Sequence, residues 1–352
     1  MTKLPKPDIK ALDLAGLTRL FEEMGRPGFR AAQVYNWLFH KSAASFAEMT
    51  NLPKELRSRL EDSFSISRLE PEKTQTSEDG TRKILFSLAD GESIESVLIP
   101  ERDHWTLCAS TQVGCRMGCG FCLTGDSGFV RNLEPVEIIG QIQAAKNTAA
   151  ASDPEGPQVT NIVFMGMGEP LNNLDNLIQA LRVILDPQGL AFSWRKVTVS
   201  TVGLVPEMKK LMETVKVRLA VSLNSPDDET RNRLMPVNRR HPLPKLISAC
   251  RDLPLRAGER ITFEYILLKG VNDSLAQARQ VVRLLGPISN RAKVNLIPFN
   301  EHPGSPYQRP PKETVEAFRN RLQASNLTTM VRRSMGRDIL AACGQLRGRK
   351  QS

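Results

Sequence analysis

No stretch of this chain is apolar for long enough to span a bilayer, and Met1-Thr2-Lys3-Leu4-Pro5 lacks the basic-then-apolar pattern of a secretory signal. The expectation is a cytoplasmic protein with no membrane partner, whose six cysteines serve as ligands or catalysts rather than as a disulfide framework. Aromatic residues are 5% of the composition, which argues against a broad base-stacking platform. The glycines never fall into G-x-G-x-x-G, so a Rossmann dinucleotide site is disfavoured. No repeat or low-complexity tract stands out.

Acidic charge is scarce beyond residue 100. Residues 1–100 hold 14 basic and 15 acidic side chains, so with a net charge of +10 the rest of the chain carries about +11 by difference. Such a field attracts polyanions, although a solvated basic surface would look the same. The density peaks at 332–350, where Arg332, Arg333, Arg337, Arg347, Arg349 and Lys350 face one acid, Asp338. That stretch is able to grip phosphates around the cysteine it contains, Cys343, or simply to fray as a basic tail.

At 352 residues the chain suffices for one large α/β domain and a small appendage. Residues 1–65 read as helical: Leu14, Leu17, Leu20, Phe21 and Met24 fall at helical spacing, and Gly25-Arg26-Pro27-Gly28 stops them. A period of two follows between about 68 and 100. Arg82–Leu88 and Ile94–Ile99 flank an Asp90-Gly91 turn, giving a β-hairpin extension at 66–100. Glu95 lies in its second strand, where a lone carboxylate is expected to face water.

From about 106 strands alternate with helices. Strands are expected at Thr106–Ser110, Asn161–Met165, Lys196–Thr201, Val217–Leu223, Thr262–Leu268 and Lys293–Phe299, with helices near 134–150, 174–185, 206–214, 243–253, 274–285 and 312–324. Six βα units imply a parallel sheet, either doubly wound or curved into a partial barrel. The core spans 101–346, and a basic tail occupies 347–352.

A fourth thiol is the absence that matters most. Cys115, Cys119 and Cys122 stand at C-x3-C-x2-C in a Gly-rich loop after the first of these strands. A structural zinc site wants four ligands, whereas a [4Fe–4S] cluster on three thiols keeps one iron open. Other polar signals recur after successive strands: Gly166-Met167-Gly168-Glu169-Pro170, Ser200, Ser222-Leu223-Asn224 and Asn300. In parallel βα folds these ends share the face that carries the active site. Gly166 and Gly168 are expected to let backbone approach a ligand. Cys250, inside a helix, reads as a small buried hydrophobe.

These residues resemble the RlmN/Cfr family of radical S-adenosylmethionine (SAM) RNA methyltransferases. C-x3-C-x-F-C resembles the superfamily loop. Gln112-Val113-Gly114-Cys115, Gly128-Phe129-x-Arg131-Asn132-Leu133, Gly166-Met167-Gly168-Glu169-Pro170-Leu171-x-Asn173 and Ala341-Ala342-Cys343-Gly344-Gln345-Leu346 resemble the family itself. The likeness runs from about residue 10 to 346. It implies a partial (β/α)6 TIM-like barrel (the radical SAM core), with a small N-terminal helical domain that binds RNA.

The resemblance also implies roles. Cys115, Cys119 and Cys122 would hold one [4Fe–4S] cluster per chain. Gly168, Glu169, Ser200, Ser222, Leu223, Asn224 and Asn300 would bind SAM. Cys343 would be S-methylated by one SAM, aided by a lowered thiol pKa, and a second SAM would be cleaved to activate that methyl group for attack on C2 of adenosine in 23S rRNA and tRNA. Glu95 would be the general base, and Cys108 would release product by forming a disulfide with Cys343. An electron donor such as a flavodoxin system would restart the cycle; a monomer suffices. Two departures, Met335 and Gly125, are expected to touch neither cluster nor thiols. Rival readings are C8 methylation of the same adenosine, a radical SAM enzyme acting on a small molecule, and a zinc-binding RNA module.

Overall fold

The computed structural model describes residues 6–348; Arg349 and Lys350 of the basic tail lie outside them. The N-terminal part is helical, for reasons visible locally. α1 (Leu14–Glu23) begins where the Asp13 carboxylate accepts the Gly16 N–H at 2.8 Å, and it ends before Gly25 at φ 67°. Leu17 and Phe21, four apart, form its buried face. α2 (Phe29–Tyr35) runs on into a wider π-type turn, Asn36–His40. α3 (Lys54–Ser63) buries Leu56 and Leu60 at the same spacing.

Three antiparallel strands follow: β1 (Pro71–Thr76), β2 (Arg82–Ser87) and β3 (Ser93–Pro100). The hairpin expected at Asp90-Gly91 joins β2 to β3, with Gly91 at φ 85°. β1 escapes the sequence reading because Pro-Glu-Lys-Thr-Gln-Thr is polar throughout and mostly exposed, so it shows no alternation.

β4 (Trp105–Cys108) starts the main array. A small hairpin of β5 (Gln112–Gly114) and β6 (Phe129–Asn132) encloses the loop with the three cysteines and a single helical turn, α4 (Leu123–Asp126). Gly114 closes that hairpin: a Cβ there would lie 1.9 Å from the Gly128 carbonyl oxygen. Then come α5 (Pro135–Ser152), β7 (Val159–Phe164), α6 (Leu174–Leu185), β8 (Val197–Thr201), α7 (Val205–Thr214), β9 (Arg218–Ser222), α8 (Asp228–Leu234) and α9 (Leu243–Asp252). β10 (Ile261–Leu267), α10 (Leu275–Leu285), β11 (Ala292–Pro298), α11 (Lys312–Gln323) and β12 (Thr329–Val331) complete the described chain. α6 is representative: Leu177, Leu181 and Ile184 are buried, each contributing roughly 1.5–3 kcal/mol.

The order in the large sheet is β1-β2-β3-β4-β7-β8-β9-β10-β11-β12, with every neighbour from β4 onward parallel. A doubly wound sheet would reverse direction at a switch point; here each new strand is added on the same side. The side chains of Thr106 and Cys108, Thr198 and Ser200, Thr262 and Glu264, and Lys293 and Asn295 all border one cavity of about 860 Å³. One face of successive strands encloses that volume only if the sheet curls. β4 and β12 are not paired to each other, so the barrel is open. Its six expected parallel strands are present, joined by a seventh, the three-residue β12. No helix among the described residues is long and apolar enough to cross a membrane.

Candidate active site

The three cysteines sit at the mouth of the curled sheet on a loop stapled by backbone hydrogen bonds. Gly120 N–H donates to the Leu234 carbonyl at 3.1 Å, which ties the loop to α8, and Cys122 N–H donates to the Cys119 carbonyl at 3.0 Å. Gly118 takes φ 63° to make the turn. Cys119 feels the charges of both Cys122 and Cys115, so the three thiols share one locality. Burial pushes Cys115 up to about 12 and raises Cys119 and Cys122 as well. Among the described residues no three metal-ligating groups converge as a single ion would need. Three thiols that share one locality suit a cluster, in which each thiolate takes a different iron.

The expected SAM positions surround the same cavity with one exception. Gly168, Glu169, Ser200, Ser222, Asn224 and Asn300 line it, together with all three cysteines of the loop. Leu223 is wholly buried in the core and does not. The cavity volume suits a ligand of nucleoside size. Both Gly166 and Gly168 line the cavity, and neither has room for a side chain. A Cβ on Gly166 would meet Ser110 Oγ at 2.7 Å, and one on Gly168 would meet Gln112 Cβ at 2.4 Å. Protein rather than ligand occupies that space. Glu169 is buried, and desolvation raises its carboxyl to about 7, while its two oxygens accept the N–H groups of Leu171 and Val202.

Cys108 and Cys343 are 235 residues apart in the chain but border one cavity. Cys108 ends β4, held between β3 and β7 by its pairing with Val97 and Val163. Cys343 lies in a turn clasped from two sides. Leu123 N–H donates to the Gly344 carbonyl and Thr124 Oγ1 to the Leu346 carbonyl, while Asn300 Nδ2 donates to the Cys343 carbonyl at 3.2 Å. Both thiols are free in this structure. Neither thiol has the lowered pKa that would ease deprotonation: burial pushes Cys343 up to about 11, and Cys108 up to about 12, with the Arg332 charge opposing both shifts. The two departures from the family pattern lie closer to the site than their sequence positions suggest. Met335 and Gly125 both line the cavity, and a Cβ on Gly125 would meet the Cys119 carbonyl at 3.4 Å.

Glu95 corrects a further expectation. It does not face water: it is 6% exposed, and its Oε1 lies 3.1 Å from Lys83 Nζ, itself 4% exposed. Oε2 accepts the Arg347 N–H at 2.9 Å, so the chain just beyond Cys343 lies over the carboxylate. Glu95 is not part of the cavity lining. Lys83 gave no signal in the sequence, because a lysine in an alternating strand reads as an outward residue. This pair makes one prediction. Glu95→Ala strands a buried ammonium without its acid and is expected to cost about 3–5 kcal/mol of stability. Glu95→Gln keeps an acceptor and is expected to cost clearly less. Urea denaturation of both variants checks this, and equal losses would show the ion pair to be immaterial.

The basic stretch divides. Arg332 turns inward beside Cys108, Cys343 and Glu264, whereas Arg333, Arg337 and Arg347 are exposed. Asp338 is taken up by Ser77 Oγ and the Glu78 N–H, which pins the segment to the β1–β2 turn. Cys250 is a buried thiol of α9 that packs in the core, as expected.

Comparison with known proteins adds identity to this geometry. A family model for the ribosomal RNA large subunit methyltransferase N-terminal domain matches residues 8–66, and one for the radical SAM superfamily matches residues 109–280. The dual-specificity RNA methyltransferase RlmN of Syntrophotalea carbinolica is 53% identical over 97% of this chain and 90% of its own length. That of Geobacter sulfurreducens is 52% identical over 97% and 92%. A crystal structure of a radical SAM methyltransferase from Sphaerobacter thermophilus superposes with a TM-score of 0.90 at 42% identity, covering 97% of this chain and 99% of that one.

Proposed function

This chain belongs to the RlmN family of radical SAM RNA methyltransferases, and from that membership we propose that it methylates C2 of adenosine in 23S rRNA and tRNA by way of Cys343. The observation that carries the reading is the cavity shared by Cys108, Cys343 and the three-cysteine loop. A shared cavity is what a reaction passing carbon from one thiol to RNA, then closing on the other thiol, requires.

Cys115, Cys119 and Cys122 would hold a [4Fe–4S] cluster, which when bound would supply one-electron reduction to SAM. Gly168, Glu169, Ser200, Ser222, Asn224 and Asn300 line the space that SAM would occupy, whereas Leu223, between two of them in sequence, packs in the core. Cys343 Sγ loses its proton and would take a methyl group from the sulfonium of one SAM; one hydrogen of that methyl group would leave with the 5′-deoxyadenosyl group of a second SAM, freeing the carbon to bond adenine C2. Glu95 then removes the C2 proton, after its Oε2 exchanges the Arg347 N–H for the substrate. Cys108 Sγ attacks Cys343 Sγ, the carbon–sulfur bond breaks toward the RNA, and a disulfide remains. Two electrons from a reductant such as a flavodoxin system return both thiols. The exposed Arg333, Arg337 and Arg347 approach the RNA backbone near the cavity. A monomer in the cytoplasm fulfils these requirements.

Anaerobic reconstitution with SAM, a reductant and rRNA or tRNA transcripts tests the reading, with mass mapping of the modified nucleoside. 2-Methyladenosine is expected. A C8-methylated product, or no RNA product from a fully loaded enzyme, would overturn it.

A further inference from the structure

Arg231 lies on α8, in a stretch, Asp-Asp-Glu-Thr-Arg-Asn-Arg, that reads as an ordinary charged helix surface. In the fold it is 0% exposed. A cation with no exposure is costly unless its donors are satisfied. Here they are met almost entirely by the ends of two strands. Nη2 donates to the Val202 carbonyl just past β8 at 2.8 Å and to the Ser222 carbonyl of β9 at 2.9 Å. Nε donates to the Leu223 carbonyl at 3.0 Å, and Nη1 to Asn238 Oδ1 at 2.6 Å. None of these acceptors is a carboxylate, so the hydrogen bonds satisfy the guanidinium without cancelling its charge; Asp228, on the same helix, offsets part of it.

The same helix touches the cysteine loop. Leu234 accepts the Gly120 N–H, and Pro236 packs near Gly118. Cys119 is the loop thiol on which the Arg231 charge acts. Gly203 allows the arrangement: at φ 104°, its Cβ would come 3.0 Å from Leu246 and 3.6 Å from Arg231 Nη2. One buried guanidinium therefore joins the carbonyl ends of β8 and β9, and the helix that carries it holds the cysteine loop through Leu234.

We propose that Arg231 is a positioning residue with two effects: its planar fork fixes the β8 and β9 ends that shape the SAM site, and its charge favours reduction of the cluster held at Cys119. The inference rests on the cluster and SAM assignments made above. Reduction adds one negative charge to the cluster. A fixed positive charge in a low-dielectric wall stabilises that state, which raises the reduction potential. Lysine keeps the charge but cannot present the fork to three carbonyls. Methionine keeps neither.

The test uses anaerobically reconstituted full-length enzyme carrying Arg231→Lys or Arg231→Met, with iron and sulfide content and thermal melting measured alongside. The readouts are equilibrium SAM binding and the cluster midpoint potential from a titration followed by EPR. Both variants are expected to bind SAM at least about tenfold more weakly, because unpaired carbonyls let the strand ends relax. Arg231→Met is expected to shift the potential to more negative values, while Arg231→Lys leaves it near the wild-type value. Wild-type SAM affinity in a folded, loaded Arg231→Lys protein would overturn the fork, including when Arg231→Met fails to fold. Equal potential shifts in both variants, or none in Arg231→Met, would overturn the role of the charge. A wild-type chain that loads no iron and sulfide overturns the cluster assignment instead, which separates the two failures.

Discussion

Cys343→Ala is expected to abolish RNA methylation, with turnover falling by at least about 10³-fold, and to form no covalent attachment to RNA. Cys108→Ala is expected to lose turnover to a similar degree but to stop later, with RNA bonded to Cys343. The contrast follows from position. Cys343 is the thiol on the turn clasped by α4 and the segment just past β11, where on the proposed route carbon would be loaded and handed over. Cys108 stands on the wall of the same cavity at the end of β4, where on the proposed route it would attack Cys343 and release the adduct. Removing the first denies the reaction its carrier; removing the second denies it the exit. Denaturing gels of each variant after reaction with labelled RNA separate the cases. Normal product from Cys343→Ala would sink the scheme. Both thiols are raised by burial, to about 11 for Cys343 and about 12 for Cys108, so near neutral pH they rest protonated. Reactivity toward an alkylating probe should therefore rise with pH toward those values, and Arg332 is the cation placed to ease deprotonation at either sulfur.

Cys119→Ala is expected to have an equally complete effect by a different route. Iron and labile sulfide should fall to background and RNA methylation should vanish, while the fold survives. Survival is expected because the loop is secured by protein contacts: the Gly120 N–H to Leu234, the Leu123 N–H to Gly344 and the Gly125 N–H to Cys122. Alanine also fills most of the volume of a buried cysteine, which keeps the cavity cost small. Metal analysis of the wild-type protein frames the result. Zinc without sulfide would mean that the three thiols serve a structural ion, and undiminished methylation by Cys119→Ala would remove the loop from the chemistry.

Part of this site was legible in the chain because its signals are local. Three thiols at C-x3-C-x2-C need only a turn to converge, and glycine at 118 supplies it. The alternation of apolar strands and amphipathic helices fixed the α/β class, since periods of two and of 3.6 are properties of short segments. Residues placed just after successive strands, such as Glu169, Asn224 and Asn300, could be assigned to one face because parallel strands all end on it. Resemblance to relatives supplied the roles of Cys108, Cys343 and Glu95, which no spacing connects.

What tertiary structure decided are the relations across distance. Partial barrel or doubly wound sheet is a choice about which strand lies beside which, and only the unreversed order β4-β7-β8-β9-β10-β11-β12 settles it. Burial at Glu95 depends on Lys83 across a strand pair and on Arg347 from the far end of the chain, so its sequence neighbourhood pointed to solvent. Gly166 and Gly168 line the cavity as their pattern suggested, but what bars a side chain there is the segment after β4, which their sequence neighbourhood does not show. Arg231 reads as a surface charge and is fully enclosed. The chain by itself determined which groups are able to hold a cluster and carry carbon. Folding determined which of them meet, because burial and charge belong to neighbours in space rather than in order.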